Sequence, residues 1–133
     1  MKYLHTAAKV IFSLILILPI LGSTGIFPEA TRDIYQTDLA FAFIEMLTEA
    51  GYITFMMAVV HIIALIALWT KREPLAALLE LPISLNVAAF HMVIDGGLFT
   101  GGAWLGNLML IINVYLLWKY RDALRALLMP RVG

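Results

Sequence analysis

Hydrophobic positions along the chain form four long blocks, and charged residues, glycines and prolines collect between them. A helix needs about 20 mostly apolar residues to cross a bilayer. By this measure the pattern predicts spans at 10–27, 51–70, 75–94 and 103–118. Because helices are one of the two architectures that satisfy backbone groups inside lipid, we expect an all-α integral membrane four-helix bundle. Residues 1–133 are expected to form a single membrane domain.

The connections between the predicted spans differ in length. Residues 71–74 join the second and third spans, which predicts a tight helical hairpin. A glycine-rich turn at 95–102 follows the third span. The first connection is the longest, and in its second half, 38–49, apolar residues recur on one helical side. This favours a short amphipathic helix on the outer membrane surface between helices 1 and 2. An N-terminal extension of the second span is the alternative.

Lysine and arginine are distributed unevenly between the two ends of the predicted spans. Arg32 is the one basic residue in a predicted outer connection, and the others lie in the N-terminal segment, the second connection and the tail: Lys2, Lys9, Lys71, Arg72, Lys119, Arg121, Arg125 and Arg131. Basic residues in short loops stay in the cytoplasm. We therefore expect both termini to be cytoplasmic, and the basic tail to rest on the inner leaflet.

Composition supports a lipid environment and excludes several kinds of chemistry. Hydrophobic residues make up 62% of the chain, charged residues 14%, and the mean hydropathy is +0.93. A soluble domain of this size has too little interior for so much apolar surface. With no cysteine, the chain has no disulfide, thiolate metal site or iron–sulfur cluster. Nothing in the charge pattern indicates nucleic acid as a partner.

Polar side chains inside the predicted spans are the candidate functional residues. His61, Asn86 and Asn113 lie near the middle of the second, third and fourth spans, so antiparallel packing would bring them to a similar depth. Intramembrane polar residues usually face the bundle interior. Antiparallel neighbours could therefore bring these three together near the midplane.

A second pattern is a polar stripe along the third span. Its members recur on one side of the helix, and they are Glu80, Ser84, His91 and Asp95. Such a stripe suits a proton path, a hydrophilic cavity or a polar ligand site. At its outer end we expect an ion pair between His91 and Asp95, with Glu45 and Glu49 approaching from the surface helix.

Structural roles compete with functional ones at each of these positions. Asn86 and Asn113 are also explained as interhelical hydrogen-bonding residues. Glu80 is also explained by an interaction with Lys71 or Arg72 at the inner surface. Because no H-x-x-x-H or E-x-x-H spacing occurs, we predict no metal site, and no catalytic residue is assigned.

Three segments resemble the DoxX-like family of small bacterial membrane proteins: ELPISLNVAAFH at 80–91, LWTKREPL at 68–75 and NVYLLWKYR at 113–121. The resemblance implies a four-helix bundle in the bacterial inner (cytoplasmic) membrane and a connection with quinone-linked sulfur oxidation or with complexes that resist oxidative stress. The family often has Glu in the middle of its second helix with Gly one turn later. Here His61 and Leu65 stand at those positions.

Three functions follow as hypotheses. The first is a non-catalytic accessory component of a membrane complex, working with a membrane-protein partner or as a homo-oligomer. The second is a redox-associated protein that binds quinone in the bundle through His61 or His91, with protonation coupled to reduction along the stripe from Glu80 to Asp95. The third is a transporter of protons or small solutes that acts as an oligomer, because four helices alone enclose little room.

Overall fold

The structure is a computed structural model that describes residues 1–129. Over that range the chain is all-α, with no β-strand. The helices are α1 Lys2–Gly22, α2 Asp38–Ala50, α3 Tyr52–Trp69, α4 Glu73–Val93, α5 Ala103–Lys119 and α6 Arg121–Leu128, and a 3-10 turn covers Arg32–Ile34. Arg131, used above for the orientation, lies outside the described residues.

Three helices, α1, α3 and α4, are long and apolar enough to cross a membrane, as judged by length and composition, and α5 is shorter at 17 residues. The ends of α3, α4 and α5 lie within two residues of the predicted spans. α1 differs, because it begins at Lys2 rather than residue 10 and ends at Gly22 rather than residue 27. A turn follows it, in which Gly25 has φ +76° and the hydroxyls of Ser23 and Thr24 donate to the carbonyls of Ile20 (2.7 Å) and Leu21 (2.6 Å).

α2 and α3 are separate helices. Gly51 lies between them with φ +70°, a left-handed conformation that glycine adopts without strain. Thr37 begins α2, and its side chain accepts the backbone N–H of Ala40 at 3.0 Å. The sequence pattern at 38–49 therefore marks a helix of its own and not an extension of the second span.

The bundle core lies where α1, α3, α4 and α5 meet. Phe12, Leu16, Leu68 and Leu116 are its fully buried large side chains, and alanines of α3 and α4 lie between them. Small residues let helix backbones approach closely, which is how helices pack inside lipid. Large apolar side chains cover the outside of the same helices, so this is the helical bundle of a membrane protein.

One end of the bundle carries a polar cluster that was not predicted from the sequence. Lys9 Nζ lies 3.0 Å from Glu73 Oε1 and 4.6 Å from the centre of the Trp69 ring. The indole N–H of Trp69 donates to Ser13 Oγ at 2.9 Å. These contacts fasten α1 to the α3–α4 hairpin at the end where the basic residues collect.

Candidate functional site

A histidine–glutamate pair occupies the interior of the bundle. His61 of α3 is 1% exposed and Glu80 of α4 is fully buried. The imidazole Nδ1 lies 2.9 Å from Oε1 and 3.0 Å from Oε2 of Glu80, so Nδ1–H donates to the carboxylate. Both residues lie about 10–12 Å from the hairpin that joins their helices, which is why antiparallel packing brings them level. Glu80 therefore pairs with His61 and does not extend to Lys71 or Arg72.

His61 also lines an apolar pocket between the four packed helices. The pocket has a volume of about 190 Å³, and its other lining residues are Ile15, Leu18, Pro19, Met57, Ile83, Val87, Leu105, Gly106 and Met109. Since Nδ1 is bonded to Glu80, Nε2 is the ring nitrogen left for a ligand, and it makes no hydrogen bond to any residue in the described part of the chain. Among residues 1–129, His61 is the only titratable residue that lines this pocket.

The pocket depends on a close approach of α4 and α5 at Gly106. A Cβ at this position would lie 2.6 Å from Val87 Cγ1, a distance that real contacts do not show. The same Cβ would lie 3.6 Å from His91 Cδ2. Gly106 thus sets the separation of the two helices at the wall of the pocket.

Two more predicted residues, Ser84 and Asn113, are fully buried near the pair. Ser84 lies one turn beyond Glu80 on the same side of α4, and its hydroxyl donates to the carbonyl of Leu81 at 3.1 Å. Asn113 Nδ2 donates to the carbonyl of Ala77 at 3.1 Å, which joins α5 to α4. Asn113 Oδ1 is buried and has no hydrogen-bond partner among residues 1–129.

Asn86 does not join His61 and Asn113. It is exposed on the outside of α4, and its Nδ2 donates to the carbonyl of Pro82 at 3.0 Å. The sequence comparison of His61, Asn86 and Asn113 took account only of their depth in the membrane. Six positions beyond Glu80 correspond to about 240° of helix rotation, so Asn86 points away from the core when Glu80 points into it.

The outer end of the stripe forms a second polar site. His91 Nδ1 lies 2.8 Å from Asp95 Oδ2, so the expected pair is present, and Asp95 is 2% exposed. The other carboxylate oxygen, Oδ1, accepts the backbone N–H of Gln36 at 2.8 Å, and the Thr37 hydroxyl donates to the carbonyl of Ile94. These bonds hold the first connection against the third. Burial, together with the negative charge of Asp95, raises the pKa of Tyr35.

The surface helix does not contribute to this outer site in the way we expected. Glu45 and Glu49 are exposed, and neither bonds to His91 or Asp95. Gln36 takes their place through a backbone N–H, a group that carries no sequence signal. Within residues 1–129, no three His, Asp or Glu side chains lie together as a metal site would need.

We expect Asp95→Ala to release the first connection. Each hydrogen bond to a buried carboxylate contributes about 1.5–3 kcal/mol, so local opening should rise roughly tenfold or more. Arg32 lies in that connection, and trypsin cleavage after it in lipid discs measures the opening. Asp95→Asn, which keeps an acceptor for Gln36, should be cleaved at an intermediate rate. The exposed Glu49→Ala is the control, and equal rates for all variants would show that Asp95 does not fasten the loop.

Comparison with known proteins identified no relative of this chain: no protein-family model, no curated protein and no solved structure matches it. The resemblance to the DoxX-like family stays a prediction from the sequence. The functional proposal therefore depends on the geometry of the pocket and of the His61–Glu80 pair.

Proposed function

We propose that the chain is a DoxX-like protein of the bacterial inner membrane that crosses the bilayer four times, with both termini in the cytoplasm and α2 on the outer surface. The contact of Lys9 with Glu73 supports this topology, because it brings the N-terminal segment to the same end as the α3–α4 hairpin. Among residues 1–129, all basic residues except Arg32 lie in segments toward that end. α5, with 17 residues, is at the lower limit of a spanning helix.

In that topology, the protein is a non-catalytic component of a membrane redox complex, and it holds a quinone-class ligand in the core of its own helical bundle. The observation that carries this proposal is the position of His61, a single hydrogen-bonding side chain in an apolar pocket, with its ring held by Glu80. Ligand pockets combine apolar walls with a few placed polar groups in this way. Quinones supply two-electron carbonyl–hydroxyl chemistry when bound.

The pair gives His61 two hydrogen-bonding states. An Nε2 that carries hydrogen donates to a carbonyl oxygen, and an Nε2 without hydrogen accepts a hydrogen bond from a hydroxyl. In both states Nδ1–H still donates to Glu80, so the ring keeps its orientation. One nitrogen therefore serves both the oxidised and the reduced form of such a ligand.

The walls of the pocket limit the size and route of the ligand. At about 190 Å³ the pocket is smaller than the roughly 300–1,000 Å³ of sites for drug-sized molecules, so it suits a ring-sized headgroup. Leu18 and Pro19 line the pocket and are also exposed on the outside of α1. The pocket thus reaches the lipid-facing surface beside α1, where an isoprenoid tail would lie.

Mass spectrometry of organic extracts tests this function on protein purified in native lipid discs. Wild type should carry quinone at about one molecule per chain above the membrane background, and His61→Gln should lose it. Glutamine keeps an N–H for Glu80, so the variant remains folded. His91→Gln is the matched control, because His91 does not line the pocket, and it should retain quinone. Absence of enrichment in wild type, or full retention in His61→Gln, would contradict the proposal.

A proton path is the second candidate function. It is favoured by the burial of Glu80 and Ser84 in line along α4 and by the buried Oδ1 of Asn113, which has no hydrogen-bond partner among residues 1–129. Proton flux into proteoliposomes that Glu80→Gln abolishes would favour transport. Flux at the level of empty liposomes would remove this candidate and leave the quinone proposal untouched.

A further inference from the structure

Asn86 is the one polar side chain on the lipid-facing middle of the helices. Along 10–22, 52–69, 75–93 and 103–118 most of the other exposed side chains are aliphatic, Met, Pro, Gly or Phe. The remaining ones are Tyr and Trp residues near the helix ends. Asn86 lies about 10 Å from the outer end of α4, well inside the hydrocarbon. No water is present at that depth to solvate an amide.

The amide of Asn86 is only partly satisfied within its own chain. One N–H donates to the carbonyl of Pro82, and no hydrogen bond engages Oδ1 or the second N–H among residues 1–129. The group therefore presents one donor and one acceptor side by side toward the bilayer. An unsatisfied polar group in hydrocarbon costs several kcal/mol, so a partner at this position would be strongly favoured.

The surroundings of Asn86 fit another helix. Positions on the same side of α4 as Asn86 are found by counting in alternating steps of three and four residues. They are Leu75, Leu79, Pro82, Ala89 and Val93. This is the seam of a left-handed coiled coil, in which one polar residue sets the register. Ala89, the neighbour one turn above, is small enough for two helix axes to approach closely.

We propose that this face of α4 binds the same face of a second copy of the chain, with the two Asn86 amides paired. Two copies inserted in the same orientation are related by a two-fold axis along the membrane normal, so each residue on the axis meets its own counterpart at equal depth. An amide is complementary to itself, because each donates an N–H to the oxygen of the other. The interface does not include the His61 pocket, which lies on the inside of the bundle.

The absence of cysteine in the chain makes disulfide trapping a direct test in native membranes. Ala89→Cys lies in the proposed seam next to Asn86, and Ile111→Cys is an exposed control on α5. Oxidation should give a disulfide-linked dimer with Ala89→Cys and little with Ile111→Cys. Adding Asn86→Leu to the Ala89→Cys chain should weaken dimerisation about eightfold, the effect of two average interhelical hydrogen bonds. Asn86→Gln should restore much of the cross-linking.

Three results would overturn the proposal. Equal cross-linking of Ala89→Cys and Ile111→Cys would indicate random collision. Unchanged cross-linking in the Asn86→Leu background would show that the amides do not pair. A heterologous adduct at Ala89→Cys without any homodimer would assign the face to a different protein.

Discussion

Glu80→Ala is expected to lower the free energy of unfolding by roughly 3–5 kcal/mol, the usual effect of removing one member of a buried pair. Glu80 is fully buried and holds His61 Nδ1 at 2.9 Å. Without the carboxylate, the imidazole N–H is left in the protein interior with no acceptor. Unfolding in mixed micelles or by steric trapping in bicelles measures this loss.

Two further variants separate the interaction from the loss of side-chain volume. Glu80→Gln keeps an acceptor oxygen for Nδ1–H and should lose less than half as much stability as Glu80→Ala. In a double-mutant cycle, His61→Ala should add little to Glu80→Ala, because the pair is already broken. Additive losses, or a Glu80→Gln variant as unstable as Glu80→Ala, would show that the two residues do not act as a pair.

Gly106→Ala is expected to have the second-largest effect. The new Cβ would lie 2.6 Å from Val87 Cγ1, so α5 must move away from α4 or Val87 must change rotamer. Overpacking of this kind costs about 1–3 kcal/mol, and the displacement alters the wall of the pocket that His61 lines. We expect lower stability together with loss of quinone from the purified protein.

Two control variants test whether the clash with Val87 causes the effect of Gly106→Ala. Gly101→Ala adds a methyl where nothing lies within 4 Å and should leave stability unchanged. Combining Gly106→Ala with Val87→Ala removes the clashing methyl groups and should recover most of the stability. If Gly106→Ala is as stable as Gly101→Ala, the close approach at Gly106 does not determine helix packing.

The four long helices α1, α3, α4 and α5 were predictable from sequence because each overlaps a block of apolar residues. The boundaries of α3, α4 and α5 follow the blocks closely, since charged or glycine residues flank them. The end of α1 was not found, because Ser23, Thr24 and Gly25 are uncharged and Ile26 and Phe27 continue the apolar block. A turn with Gly25 at φ +76° follows that boundary, and hydropathy does not register it.

The candidate site was predictable in part. Depth along the spans identified His61 and Asn113 as interior residues, and spacing identified His91 with Asp95. Rotation about each helix axis decided the rest: spacing places Asn86 and Glu80 on different sides of α4, but a single sequence does not show which side faces the core. Asn86 therefore turned out to face outward, and the pairing of Glu80 with His61 in place of a basic residue became apparent only in three dimensions.

The most direct test of ligand binding at His61 is nitrogen NMR of the protein in lipid discs with ¹⁵N-labelled histidine. The chain has three histidines, so the spectrum is simple, and His61→Gln identifies the signals of His61. On addition of a short-chain benzoquinone, we predict that the Nε2 signal of His61 moves and that those of His5 and His91 do not. A matched hydrocarbon without carbonyl groups should leave it in place. An unmoved His61 signal, or a shift confined to His91, would contradict a ligand site in the bundle core.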